Sequence, residues 1–175
     1  MQKSIRLVLV AAIVGLAVWG WRSLYPSPQH AIRSRLRALA DTACVRPGDG
    51  AMLRAYKAQA LPDFFTTDAV LNLDVRGYET EVLHGRSEIQ GAATAGMERL
   101  AGLRVEFLDV NVTLAPDHET AVANLTCRAT RPGEKDFLVQ EFDFHMRKIG
   151  REWLVERVDT VKTLSALRGH TLNAF

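Results

Sequence analysis

"QEFDFHMRK", residues Gln140 to Lys148, alternates two chemistries along one short run. Glu141, Asp143, His145 and Arg147 occupy one parity, and Phe142, Phe144 and Met146 the other. A period of two marks a strand buried on one face only. The apolar parity is expected to look inward at packed helices, and the charged parity outward to solvent or a partner subunit. A catalytic use of His145 would require the sheet to curve until the imidazole entered a cavity, within hydrogen-bond reach of a proton donor or acceptor.

Towards the carboxy terminus, "IGRE" reads as a hairpin turn. With Gly150 and Arg151 as a two-residue loop, His145 falls opposite Glu156, Arg147 opposite Leu154, Phe144 opposite Arg157 and Phe142 opposite Asp159. In that register Trp153, Val155, Arg157 and Asp159 follow the phenylalanines inward. A buried charge must be paired, so Arg157 and Asp159 are either each other's partners or contacts to a ligand. A slip of one residue would bring Glu156 inside in their place.

The hairpin's strands, Asp136 to Ile149 and Trp153 to Leu164, are the last two of four β-rich runs, and towards the amino terminus Leu103 to Leu114 and Thr120 to Thr130 precede them. The turns "APDHE", "RPGEK" and "IGRE" are short, so sequential antiparallel pairing is expected. The upstream half is helical in texture. Ser27 can cap and Pro28 can open a helix carrying Ile32, Leu36, Leu39 and Ala43 at helical spacing and ending near Cys44. "RPGDG" breaks it, and Ala51 to Ala60 reads as a second helix with Leu53, Tyr56 and Ala60 on one side, Tyr56 in the core with its hydroxyl at the rim.

A strand over Ala69 to Val75 alternates Ala69, Leu71 and Leu73 with Val70, Asn72 and Asp74, and Glu81 to His84 forms a short extended piece. Ser87 with Gln90 three positions later is a capping-box pattern opening a third helix with Ile89, Ala92, Ala93, Met97 and Leu100. Helices come early and strands late, which is the α+β pattern.

That order, together with "FFTTDAVLNLD", "LHGRSEIQG" and the closing hairpin "FHMRKIGREWLVERV", resembles the NTF2-like or SnoaL-like superfamily over roughly Ile32 to Thr163. The resemblance implies a cone in which a curved antiparallel sheet packs against three helices. It implies little about chemistry, because the superfamily holds isomerases, cyclases, dehydratases, transport factors and non-catalytic modules. Its ketosteroid isomerases carry a general-base Asp at the position that aligns with Leu73, and leucine cannot take a proton. Asp74 is adjacent, but its side chain belongs to the other face. Related folds often line their pocket near the turn after this strand, so the resemblance nominates Asp74 and His84 as lining residues. With Tyr56, Phe142, Phe144, Arg157 and Asp159 they make the candidate pocket. Asp74, His84, Arg157 and Asp159 are its candidate acid–base groups.

The remaining observations set the address. From Leu7 to Trp21 there is no charge, and the run from Ile5 to Tyr25 gives about 21 residues, near 30 Å as a helix if Arg6 and Arg22 snorkel. Lys3 and Arg6 precede it, which sends the following domain across the membrane. A cleavable signal peptide is the rival reading, but the exit "AVWGWRSLYP" is bulky and lacks an A-x-A site. Residues 1–25 are therefore expected to be a single-pass anchor, 26–30 a linker, 31–164 the domain and 165–175 a mobile tail. The expected location is a bacterial inner membrane with the domain on the periplasmic side.

The charge balance, 22 basic against 20 acidic side chains without a long like-charge block, carries no nucleic-acid footprint. His30, His84, His118, His145 and His170 form no HxH or HExxH cluster, so no metal is expected, and no phosphate-binding or dinucleotide fingerprint calls for a cofactor. Cys44 and Cys127 could pair in an oxidising compartment or serve as small buried hydrophobes. Two functions remain. One is a membrane-anchored module for self-association or docking to a membrane complex through Glu141, Asp143, His145 and Arg147. The alternative is a small-molecule isomerase, lyase or hydratase, or a carrier of an apolar ligand, working in the cone.

Overall fold

The computed structural model describes residues 27–74 and 80–161, with the side chains of 134–137 outside the description. The expected anchor at 1–25 and the tail at 165–175 lie outside the described residues, as do residues 75–79 and His170. Helix α1 spans Pro28–Ala43. Ser27 caps it as its side chain accepts from the His30 N–H, and Pro28 occupies the first turn, where a missing N–H costs nothing. Ile32, Leu36, Leu39 and Ala40 form its buried stripe. Helix α2, Ala51–Ala60, buries only Ala58. A 3-10 turn, Leu61–Phe64, leads into strand β1, Phe65–Leu73, which antiparallel β2, Glu81–His84, follows.

Helix α3, Gly85–Arg99, starts two residues before the expected capping box. His84 is its cap residue, and Glu88 reaches back to accept the His84 N–H at 2.7 Å, so a carboxylate one position beyond Ser87 satisfies the helix start. Four long strands complete the chain: β3, Arg104–Leu114; β4, Thr120–Arg131; β5, Glu134–Ile149; and β6, Glu152–Thr160.

The strand order is β2-β1-β6-β5-β4-β3. The expected meander from β3 to β6 forms, and β1 inserts beside β6 in parallel, a pairing that short-range turn signals cannot reveal. Phe142, Phe144 and Met146 are buried and the intervening residues of β5 are not, as the alternation requires. Their partners inside are Ile32, Leu36 and Leu39 of α1, Ile89 of α3, Ala121, Ala123 and Leu125 of β4, and Trp153, Val155 and Val158 of β6. The Phe144 ring lies 5.4 Å from Phe107 and 6.4 Å from Phe142, the latter edge-on. The molecule is thus an α+β cone: three helices on the inner face of one curved six-stranded sheet.

Curvature comes from irregular pairing. Register shifts interrupt β3 between Leu108 and Asn111, β1 between Phe65 and Val70, and the β5–β6 hairpin between His145 and Met146. In β3 the extra residue is Asp109, held at φ 52°, and such bulges bend a strand and raise its twist. The two-residue loop at Gly150 and Arg151 forms with Gly150 at φ 63°. From Ile149↔Glu152 to Met146↔Val155 the register is the expected one. Beyond it β6 carries one extra residue, Glu156, and His145 pairs with Arg157, Phe144 with Val158, Asp143 with Asp159 and Phe142 with Thr160.

That single bulge corrects the expected faces. Trp153 and Val155 point inward, but Val158, not Arg157 or Asp159, continues the buried row. Arg157 and Asp159 lie outside beside His145 and Asp143. Burying two charges under the helices would cost several kcal/mol, whereas Val158 adds apolar contact, so the bulge resolves the parity conflict in the cheaper direction.

At its free edge β3 meets the residues that leave α1. Val45 donates to the Leu103 carbonyl at 2.7 Å, and the Cys44 thiol sits between the N–H (3.2 Å) and the C=O (3.4 Å) of Val105. Lys57 holds this exit from α2, bonded to the Cys44 carbonyl at 2.9 Å and to Asp49 at 2.6 Å.

Because Phe144 joins helix and sheet packing while Val139 is 56% exposed on the same strand, the two should respond oppositely to truncation. Phe144→Ala is expected to destabilise by about 3–5 kcal/mol, and Val139→Ala by less than about 0.5 kcal/mol, in urea unfolding followed by circular dichroism.

Candidate functional site

The chemistry-bearing side chains gather on the outer face of the sheet, in cross-strand rows that the register defines. One row runs Val82, Asn72, Asp159, Asp143, Asn124 and Asn111 across all six strands. The next runs His84, Val70, Arg157, His145, Val122 and Thr113. Asp159 and Asp143 face each other directly, an arrangement that destabilises unless each carboxylate has its own donors. Each has one. Asn72 donates to Asp159 at 2.7 Å, and Asn124 donates to Asp143.

Asp159 is the hub. Besides Asn72, it receives Arg157 Nε at 2.9 Å, and His145 Nε2 lies 3.3 Å from its other oxygen. Partial burial works against its ionisation, but the hydrogen bonds from Asn72 and Arg157 and the charges of Arg157 and His145 outweigh that, holding the carboxyl below its ordinary value. A second knot lies on the same face, where Arg147 bonds Asp68 at 2.8 Å and Glu156 at 3.1 Å. The bulged Glu156 therefore spends its charge on Arg147. An open groove of about 510 Å³ borders this face, lined by Thr113, Val122, His145 and Glu156 among others.

Of the residues nominated for a pocket, Phe142 and Phe144 are core, and the others do not join them. Tyr56 is 67% exposed on α2 and contributes nothing to the interior. Its helix packs through Ala58 against Val45 and Met97, so the apolar side read from Leu53, Tyr56 and Ala60 is turned outward instead. His84 is exposed at the start of α3, and Arg157 and Asp159 are on the outer face. Asp74 follows β1 by one residue on the parity of Asn72, with its N–H donated to Thr160 Oγ1 at 2.9 Å and its carboxylate accepting from Thr80 at 3.4 Å. Leu73, aligned with the isomerase base, packs against the core. Asp159 and His145, nominated for different roles, are the pair that the fold brings together.

Sequence reasoning missed Asn72 and Asn124, which orient the two carboxylates. Their signal is their strand parity, but it becomes usable only with the pairing of β1 to β6 and of β4 to β5. Two further open grooves, of about 470 and 370 Å³, follow the seam between α1 and β3 and share Asp41, Val105 and Glu106. Glu106 is engaged by Arg104 at 2.9 Å and by Arg128. Cys44 and Cys127 are free thiols, and burial, with a smaller contribution from Cys44, pushes Cys127 up to about 11. It is therefore a packing group and not a thiolate at neutral pH. Among the described residues no group of three His, Cys, Asp or Glu side chains is placed to hold a metal ion, and no helix is long and apolar enough to cross a membrane.

The fold is that of NTF2-like, or cystatin-like, proteins. An NTF2-like protein from Novosphingobium aromaticivorans superimposes over 88% of this chain and 88% of its own, with a TM-score of 0.57 and 18% identity. A cystatin-like domain of unknown function from Nostoc punctiforme gives a TM-score of 0.60 at 17% identity, covering 81% of this chain and 80% of that one. The yeast UBP3-associated protein BRE5 gives 0.60 at 12% identity over 79% of this chain and the whole of that one. At these identities the likeness establishes the fold alone. No family model and no curated protein sequence matches the chain.

Because its carboxyl is held below the ordinary value of 3.8, ionised Asp159 stabilises the fold above that pH. The stabilisation is lost as pH falls through the folded-state value. Asp159→Asn should therefore cost about 1 kcal/mol at pH 7, an amount reduced by the carboxylate's partial exposure, and the gap should close as pH falls below the ordinary value of 3.8 in urea titrations.

Proposed function

We propose that this chain is a membrane-anchored, extracytoplasmic NTF2-like module that assembles through the outer face of its sheet, either with a second copy or onto a membrane complex. The observation that carries the reading is the composition of that face. Val82, Val139 and Ile149 are exposed there, at 45%, 56% and 49%, around an ordered polar array. Along β5 the charge passes from Glu141 and Asp143 to His145 and Arg147. Two copies about a twofold axis would set the acidic end of one against the basic end of the other.

Ordered donors around Asp159 and Asp143 lower the cost of desolvating those carboxylates at an interface. The uncharged run at Leu7–Trp21 supplies the tether. Among proteins of this fold, BRE5 is named for association with another protein. The competing reading, conversion or carriage of a small molecule inside the cone, loses support because Asp74, His84, Arg157 and Asp159 do not converge beneath the helices.

Val139→Asp combined with Glu141→Arg should shift the detergent-solubilised full chain to a smaller species in sedimentation velocity, or release its copurifying partner, by at least tenfold in apparent affinity. His84→Ala and Asp74→Ala should leave assembly unchanged. An unaltered sedimentation profile in the Val139/Glu141 variant, with its circular dichroism intact, excludes the outer face as the contact surface.

A further inference from the structure

Helix α2 is inverted relative to an ordinary surface helix. Its buried side holds Ala58 and the half-buried Arg54 and Lys57, while Met52 (88% exposed), Tyr56 (67%) and Leu53 (44%) share the side turned away from Val45 and Met97. Positions 52, 53 and 56 fall within about 100° of one another around a helix, so they form one apolar stripe rather than scattered exposures. Scattered surface apolar residues need no account, but a stripe of three large ones does.

The neighbouring helix shows a different chemistry on its own outward side. His30 and Arg37 lie on the outward part of α1, and Arg33 flanks the stripe of Ile32, Leu36 and Leu39 with its Nε donating to the Val110 carbonyl at 3.4 Å; all three are exposed. Arg46 is exposed in the connection between the helices. Of the two carboxylates in this region, Asp49 is already engaged by Lys57, leaving Asp41 as the exposed one.

The charge is segregated along the whole chain in the same sense. Residues 1–60 hold nine Lys and Arg against two Asp and Glu, whereas residues 61–175 hold 13 against 18. The near-neutral total conceals a basic front carrying the anchor and first two helices, and an acidic remainder carrying the sheet. Only five residues separate Trp21, the end of the uncharged run, from Ser27, the cap of α1. That connection spans at most about 20 Å, comparable with the depth of a headgroup layer and its first hydration shells.

We propose that the α1–α2 layer lies on the bilayer surface, with Met52, Leu53 and Tyr56 seated at the acyl–headgroup boundary and His30, Arg33, Arg37 and Arg46 against anionic lipid headgroups. Apolar residues on one helix beside a basic stripe are the components of interfacial binding, and a tether this short makes the second contact intramolecular. The sheet's outer face then points away from the lipid, free for the assembly described above. This inference rests on the anchored reading.

The full chain can test both, reconstituted in phosphatidylcholine vesicles with or without about 30 mol% phosphatidylglycerol. Flotation through a density gradient reads the anchor. p-Benzoylphenylalanine in place of Tyr56, or of Ile149 as control on the sheet's outer face, reads the docking by photocrosslinking to lipid and mass spectrometry. The expected result is flotation in both lipids, with lipid adducts at position 56 at least tenfold above those at position 149. Arg33→Glu with Arg37→Glu should lower the position-56 adducts at least threefold in the anionic vesicles while flotation persists. Flotation without enriched lipid adducts at position 56, or adducts there to protein only, overturns the docked layer and leaves the anchor standing. Failure to float overturns both.

Discussion

The structure depends on a conflict between two parities in one hairpin. Strand β5 places phenylalanine, phenylalanine and methionine on alternate positions, which commits its inner face to the helices. Strand β6 begins in step with it, through Trp153 and Val155, but would then drive Arg157 and Asp159 into an apolar core. The extra residue at Glu156 moves the remainder of β6 by one place, and the cost is a locally disrupted ladder at His145 and Met146. The cluster around Asp159 follows from that displacement. Arg157 comes beside His145, Asp159 comes opposite Asp143, and Asn72 of the parallel neighbour reaches Asp159.

The face that results is neither a bare solvated surface nor a catalytic centre of the usual interior kind. Its carboxylates are satisfied within the protein, by Asn72, Asn124, Arg157 and His145, so the fold itself holds them in place. Ordering in advance lowers the entropic cost of recognition, which the proposed assembly through this face would exploit. The inner side of the same sheet is assigned to packing: Ala121 and Ala123 are buried there, and Leu73 packs against the same core.

Much of the architecture was legible because it is written in local periodicity. The cap at Ser27, the span Ala51–Ala60, the short strand Glu81–His84 and the inward phenylalanines each depend on residues within a few positions of one another. What eluded the sequence is non-local. Pairing of β1 with β6 joins segments some 87 positions apart, and the bulge at Glu156 is chosen by whether the core will accept Arg157 or Val158. The capping box at Ser87 failed for a local reason, because Glu88 reaches the His84 N–H and opens α3 earlier. Tyr56 failed for a tertiary one: α2 packs against Val45 and Met97 through Ala58, which leaves its larger apolar residues outside.

The exit from α1 has a bearing on the free edge of the sheet. Strands stacked at the rim of a sheet invite further strands. Here Val45 and the sulfur of Cys44 occupy the hydrogen-bonding positions that an intruding chain would need along Leu103 and Val105, and Asp109 breaks the line beyond them. The thiol thus fills part of an open strand edge, a packing role distinct from metal binding or redox pairing.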